Sequence, residues 1–343
     1  MATHVRPMNV YVAKGSLAEK TARSRSGLPG GKPPEPEVIA PGLHPTPAHD
    51  LHFHGGKTLR NLNFTNFYVG GTGSWNASDI QSIDTALAAA LSDQDLNNVM
   101  MQYFQNQLIT STFTPSQVLP GPAPSIVSQG DIENLVQQLF TQGQLTTFDF
   151  TSTVFNFMLP SGTVLNDDQA LSQSAAGAGQ AHQQAGVRRS PVPSEDKLDS
   201  LHGLGGYHGS IHVTDSAGTA HTIYYAVGVF SETRPDGTTN GIPVFDAPWK
   251  NVVATFYHEL NEARTDADVE DAIRAGNDPN ARQFLGWTSR QGEECGDFPV
   301  FEANPLTLVF QAVSLTNGNG TVPVQFQYSD AVHGPEGPIP NPH

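Results

Sequence analysis

Residues 251–266 read NVVATFYHELNEARTD, and the rest of the chain is organised around this stretch. Val252, Val253 and Phe256 fall on one stripe of a helix, while His258 and Glu262, four positions apart, share a face. The pattern predicts a helix from about Pro248 to Ala263, with the proline in the first turn, where its missing N–H costs nothing. Imidazole and carboxylate on one helical face can chelate a single cation, and Glu259 is the neighbouring carboxylate free for proton transfer.

The motif is H-E-x-x-E, a variant of the zinc-protease pattern H-E-x-x-H with Glu262 in place of the second imidazole. Carboxylate is a harder and more negative ligand, which lowers the Lewis acidity of a held ion. Alone, the motif also describes an acidic helix face with one histidine, so it needs further ligands. The stretch GWTSRQGEECGDFPV (286–300) supplies Glu293, Glu294 and Asp297 in a glycine-punctuated loop. GLGGYHGSIHV (203–213) offers His208 and His212 on the same face of a regular strand. Asp266, Asp268, Glu270 and Asp271 read as a solvated helix start, with calcium ligation through oxygens as the alternative. The histidines of HPTPAHDLHFHGG (44–56) read as an adventitious metal site.

Outward from the helix, strands alternate with helices. Leu59–Gly71, Val99–Phe104 and Thr151–Leu159 read as strands, and Asp79–Leu91, capped by Ser78, and Asp131–Phe140 as helices. Tyr207–Val213 and His221–Phe230 form a hairpin, and Leu306–Leu315 and Val322–Tyr328 are strands around NGNG. The expectation is an α/β fold, a mixed sheet with flanking helices and a zincin-like metal-site helix. Residues 1–50, rich in Pro, Gly and early basic residues, read as a disordered, flexible arm able to contact an acidic partner. Residues 51–338 read as one metal-binding domain with a long exposed loop at about 165–200.

Composition narrows the chemistry. With 33 acidic against 17 basic residues and a net charge of −16, the surface repels polyanions, so nucleic acid is excluded as a partner. One cysteine, Cys295, excludes an intrachain disulfide and a cysteine zinc cluster, and its acidic neighbours blunt it as a nucleophile. No apolar run approaches the roughly 18–20 residues that span a bilayer, and no secretory signal is read, which leaves a cytoplasmic protein or one exported by another route. No G-x-S-x-G elbow or phosphate loop is present.

The order GGKTL, NFYVGG, GLGGYHGS, YYAVGVFS, HELNEARTD, GW and GEECGD resembles the Exordium, or phosphate-induced protein, family from about Leu51 to Pro338. Residue by residue, the resemblance implies a site of His208, His258, Glu259, Glu262, Glu294 and Asp297. The expectation is that His258, Glu262 and Glu294 hold zinc, with Asp297 or His208 completing or supporting the set. Glu259 is then the general base and His208 an oxyanion stabiliser in hydrolysis of a peptide or amide. The alternative is a non-catalytic binding or assembly protein with a structural zinc or calcium ion held by Glu262, Glu294 and Asp297. Oligomeric state is not readable from the sequence.

Overall fold

The computed structural model describes residues 9–26, 40, 42–167, 198–276 and 278–338. Its strands are β1 (Val10–Val12), β2 (His52–Phe53), β3 (Asn61–Tyr68), β4 (Thr110–Val118), β5 (Ile126–Ser128), β6 (Thr153–Met158), β7 (Val164–Asn166) and β8 (Leu204–Thr214). They continue as β9 (Ala220–Gly228), β10 (Glu232–Thr233), β11 (Thr239–Asn240), β12 (Trp287–Thr288), β13 (Phe310–Ser314), β14 (Thr321–Gln325), β15 (Gln327–Ser329) and β16 (Gly334–Glu336). The helices are α1 (Leu17–Ser26), α2 (Ala77–Ser92), α3 (Gln94–Met101), α4 (Gln129–Thr141), α5 (Pro248–Thr265), α6 (Val269–Ala275) and α7 (Asp297–Glu302).

Six strands make one mixed sheet in the order β1-β8-β9-β6-β3-β4, antiparallel from β1 to β9 and parallel from β9 to β4. Strand alternation divides the core into two layers. Val154 and Met158 of β6 and Tyr224 and Ala226 of β9 face the side covered by α2, α5 and the β13–β14 hairpin. Phe155 and Phe157 of β6 and Tyr225 and Val227 of β9 face α4. The α/β expectation, a mixed sheet with flanking helices, is what the structure shows. No helix among the described residues is long and apolar enough to cross a membrane.

Three local readings differ. Val99–Phe104 is not a strand: Asp93 caps α3 by accepting from Asp95 N and Leu96 N, and the chain stays helical to Phe104. The neighbouring strand is β4, whose partly exposed Thr- and Ser-rich sequence lacks an apolar signal. Asn76 rather than Ser78 caps α2, accepting from Ser78 N at 3.1 Å. Within the stretch read as a flexible arm, Val10–Val12 is an edge strand on β8 and Leu17–Ser26 a helix, because Val10 and Val12 find the α4-side core and Tyr11 the α5-side core. Residues 1–8 and 27–39, and 168–197 of the expected loop, lie outside the described residues.

Candidate metal centre

The helix read first is almost wholly internal: from Asn251 to Thr265 every residue of α5 is buried. Two features let it sit so close to the sheet. Gly206 of β8 and Gly228 of β9 are register partners beneath it. A Cβ at Gly206 would stand 3.0 Å from Glu259 Oε1, and one at Gly228 3.0 Å from the Phe256 ring. At the C-terminal end the buried Arg264 guanidinium donates from Nη1 to Arg60 O at 2.9 Å and Thr110 O at 3.3 Å, and from Nη2 to Ser111 Oγ. Those bonds offset part of the cost of burying a cation, although Nε has no hydrogen-bond partner.

His208, His258, Glu259, Glu262, Glu294 and Asp297 are all at most 1% exposed. They form two overlapping triads that share Glu262: His258, Glu262 and Asp297, and His208, Glu262 and Glu294, with ligand atoms within 4.8 Å of one another. His208, read as an oxyanion stabiliser, is therefore also within reach of ligand position, its Nε2 3.3 Å from Asp266 O and 3.6 Å from Glu294 Oε1. Glu259 belongs to neither triad; its Oε2 lies 3.2 Å from His208 Nδ1 and its Oε1 has no hydrogen-bond partner.

The loop is held to α5 by backbone contacts. Gly296 N donates to Glu262 Oε1 at 3.1 Å, and Glu294 N to Asp297 Oδ2 at 3.0 Å. Gln325 of β14 donates from Nε2 to Gly296 O and accepts at Oε1 from His258 Nδ1 at 2.8 Å. This network turns Nδ1 and its proton to Gln325 and leaves Nε2 facing Glu262 Oε2 at 3.0 Å, an ion pair with the ring protonated and a pair of ligand atoms with it neutral. Neither atom has a hydrogen-bond partner, and neither do the two Glu294 carboxylate oxygens. Two acceptors do not approach so closely in a buried site without a cation or proton between them. Ligand atoms each about 2.0–2.2 Å from one ion lie about 3 Å apart, so the pair fits metal ligation.

Electrostatics point the same way. Burial, and after it the Glu262 carboxylate, pushes Glu259, Glu294 and Asp297 well above the usual carboxylate range. Burial also raises Asp266, although Gly286 N donates to its Oδ1 at 2.7 Å. It brings the His208 imidazolium down to about 4. Ionised together, these carboxylates require a positive charge among them.

Other histidines and acids singled out in the sequence are elsewhere. His212 is exposed on Asp271 at 2.8 Å, on the same strand face as His208 but beyond the buried region. Glu293 is buried yet turned away, accepting from Ser289 Oγ at 2.6 Å beside His49 Nδ1 at 2.8 Å. Asp266 and Glu270 are not solvated, being 0% and 2% exposed. Burial first, then Glu262, raises the Cys295 thiol.

The sequence reading missed two participants, and it set a third, Asp266, in a solvated helix start with calcium ligation as the alternative; Asp266 is the buried C-cap of α5, with Oδ2 unpartnered. Gln325 carries no distinguishing signal. Tyr11 does, as the centre of a β-prone Val-Tyr-Val in an otherwise Pro- and Gly-rich segment. Its ring lies 4.4 Å from that of His258, tilted by 39°, and its hydroxyl is raised by burial and by Glu259 and Glu262. Asn9 Nδ2 fixes the same strand to His208 O at 3.1 Å.

Fold and site together define a mixed α/β protein with a buried cluster of histidines and carboxylates on α5, on β8 and at the loop that leads into α7. Comparison of the chain with family models, curated proteins and solved structures finds no match.

Proposed function

We propose that the protein is a metal-dependent hydrolase of the peptide or amide class, with zinc as its ion. The observation that carries the reading is the buried His258 Nε2 and Glu262 Oε2 pair, 3.0 Å apart with their other atoms committed to Gln325 and Gly296. His258, Glu262 and Asp297 would hold the ion, with His208 or Glu294 across Glu262 as a further ligand. Mixed imidazole and carboxylate donors suit zinc, whereas calcium prefers oxygen alone. A bound divalent ion supplies Lewis acidity and lowers the pKa of water.

The chain's own groups fit the remaining roles. Glu259, outside both triads, takes the proton from attacking water at Oε1, while His208 holds its Oε2. Every group is buried and the Tyr11 ring packs on His258, so substrate access requires movement of the surrounding structure, with β1 the segment over His258. An Exordium-type assignment rests on the motif order alone.

The same burial favours a second reading, a non-catalytic binding or assembly protein whose zinc or calcium is structural. Glu259→Gln separates the two. A hydrolase keeps its metal and loses peptide-library cleavage followed by mass spectrometry; a cleavage rate unchanged by the substitution overturns the assigned base. Absence of cleavage by wild type, with a melting temperature that falls steeply in chelator, selects the structural ion.

A further inference from the structure

The histidines of the 44–56 stretch lead to a different site. β2 pairs with β12, placing His52 opposite Thr288 and Phe53 opposite Trp287. Phe53 packs its ring 5.4 Å from Trp287. His52 and His54, two residues apart, line a cavity of about 440 Å³ together with Arg282 and Arg290. Buried Thr288 and Ser289 form part of its wall, and no carboxylate lines it among the described residues. Among the described residues no carboxylate pairs with Arg282 or Arg290. In a chain of net charge −16, two arginines and two histidines around one opening are a local reversal of sign.

A metal cation is the wrong ligand for this opening, because two guanidinium groups cannot be deprotonated and repel it. An anion is the right one. Arginine presents a planar fork of donors to carboxylate or phosphate oxygens, and a facing histidine becomes a second donor once protonated. The volume lies in the range of small-molecule sites and exceeds what a single inorganic oxyanion fills. His54 is already fixed, its Nε2 3.0 Å from Thr288 Oγ1. Burial and then Arg282 hold its imidazolium below the usual histidine range.

We propose that the cavity beside the paired strands β2 and β12, walled by residues 282–292, binds a small organic molecule bearing at least two negative charges, through Arg282, Arg290, His52 and His54. The proposal is independent of the metal centre. It is tested on the full-length protein as purified and dialysed, by isothermal titration with citrate, with a sugar bisphosphate and with inorganic phosphate. The expected result is saturable one-to-one binding of an organic anion, tighter than inorganic phosphate and weakened about tenfold or more by Arg282→Ala with Arg290→Ala. Preference between citrate and the bisphosphate distinguishes carboxylate from phosphoryl recognition. In parallel, the His54 ring resonance followed by NMR should titrate at higher pH with anion than without it. Arg290→Glu, at an exposed position, keeps the test open should the double variant unfold. Equal binding by wild type and folded variants, absence of saturable binding to any of the three anions, or an unmoved His54 titration overturns the proposal.

Discussion

Replacing Gly296 by alanine tests the architecture of the metal centre with a single methyl group. Gly296 has φ −94°, so alanine meets no backbone penalty there, and the effect is steric alone. The added Cβ would stand 2.3 Å from His258 Nδ1, 2.6 Å from His258 Cε1 and 2.9 Å from Glu262 Oε1. Relief to ordinary contact needs more than about 1 Å of movement, against a ring held by Gln325 and packed on Tyr11. Overpacking of this kind costs about 1–3 kcal/mol in the metal-free protein. Moving a ligand or its supporting hydrogen bond lowers metal affinity by about 10- to 100-fold. At saturating metal that removes a further 1.4–2.8 kcal/mol, approximately, from the stabilisation by bound ion. Urea unfolding with and without chelator measures both quantities. A Gly296→Ala protein with wild-type midpoints in both conditions would refute the placement of the loop against His258 and Glu262.

Other consequences follow from the same geometry. Gln325→Leu leaves His258 Nδ1 and Gly296 O without their partner and should weaken zinc binding by about 10- to 100-fold in competition with a chromophoric chelator; unchanged affinity would contradict the hold of Gln325 on the His258 ring. His208→Ala should lose metal, whereas exposed His212→Ala should keep it, as read by metal content; equal retention would remove His208 from the ligand set. Tyr11→Ala should cost about 3 kcal/mol of packing and speed metal loss to chelator, and an unchanged release rate would show that β1 does not gate the centre. Away from the site, burial raises Glu270 to about 7 in spite of Arg274. A native carboxyl raised above its unfolded value keeps its proton while the unfolded chain ionises, so stability falls as pH rises from about 4.5 through 7. Glu270→Gln should therefore match wild type near pH 4 and gain on it towards pH 8, by about 3 kcal/mol at most, in denaturant titrations across that range; a constant difference would contradict the sign.

How much of this was legible depends on where the information lies. The α5 stripe and the His258, Glu262 spacing are local, and helix periodicity exposes them. The β8–β9 hairpin and β6 are apolar enough to announce themselves. β4 is not, since its threonines and serines are partly exposed, and α3 hides behind an apolar run whose cap residue, Asp93, decides the conformation. In the site, glycine punctuation marked Glu294 and Asp297, yet the assignment of Glu293 away from the cluster depends on His49 and Ser289, which sequence spacing cannot bring together. Gln325 is likewise a tertiary contact, 67 residues from His258.

The central claim is that these buried groups hold a divalent ion, and the most direct measurement is the metal content of purified, untagged protein by inductively coupled plasma mass spectrometry, alongside His258→Ala and Glu294→Ala. Near-stoichiometric zinc in wild type, lost from both folded variants, is the expected result. No metal in wild type after incubation with zinc or calcium would contradict the account.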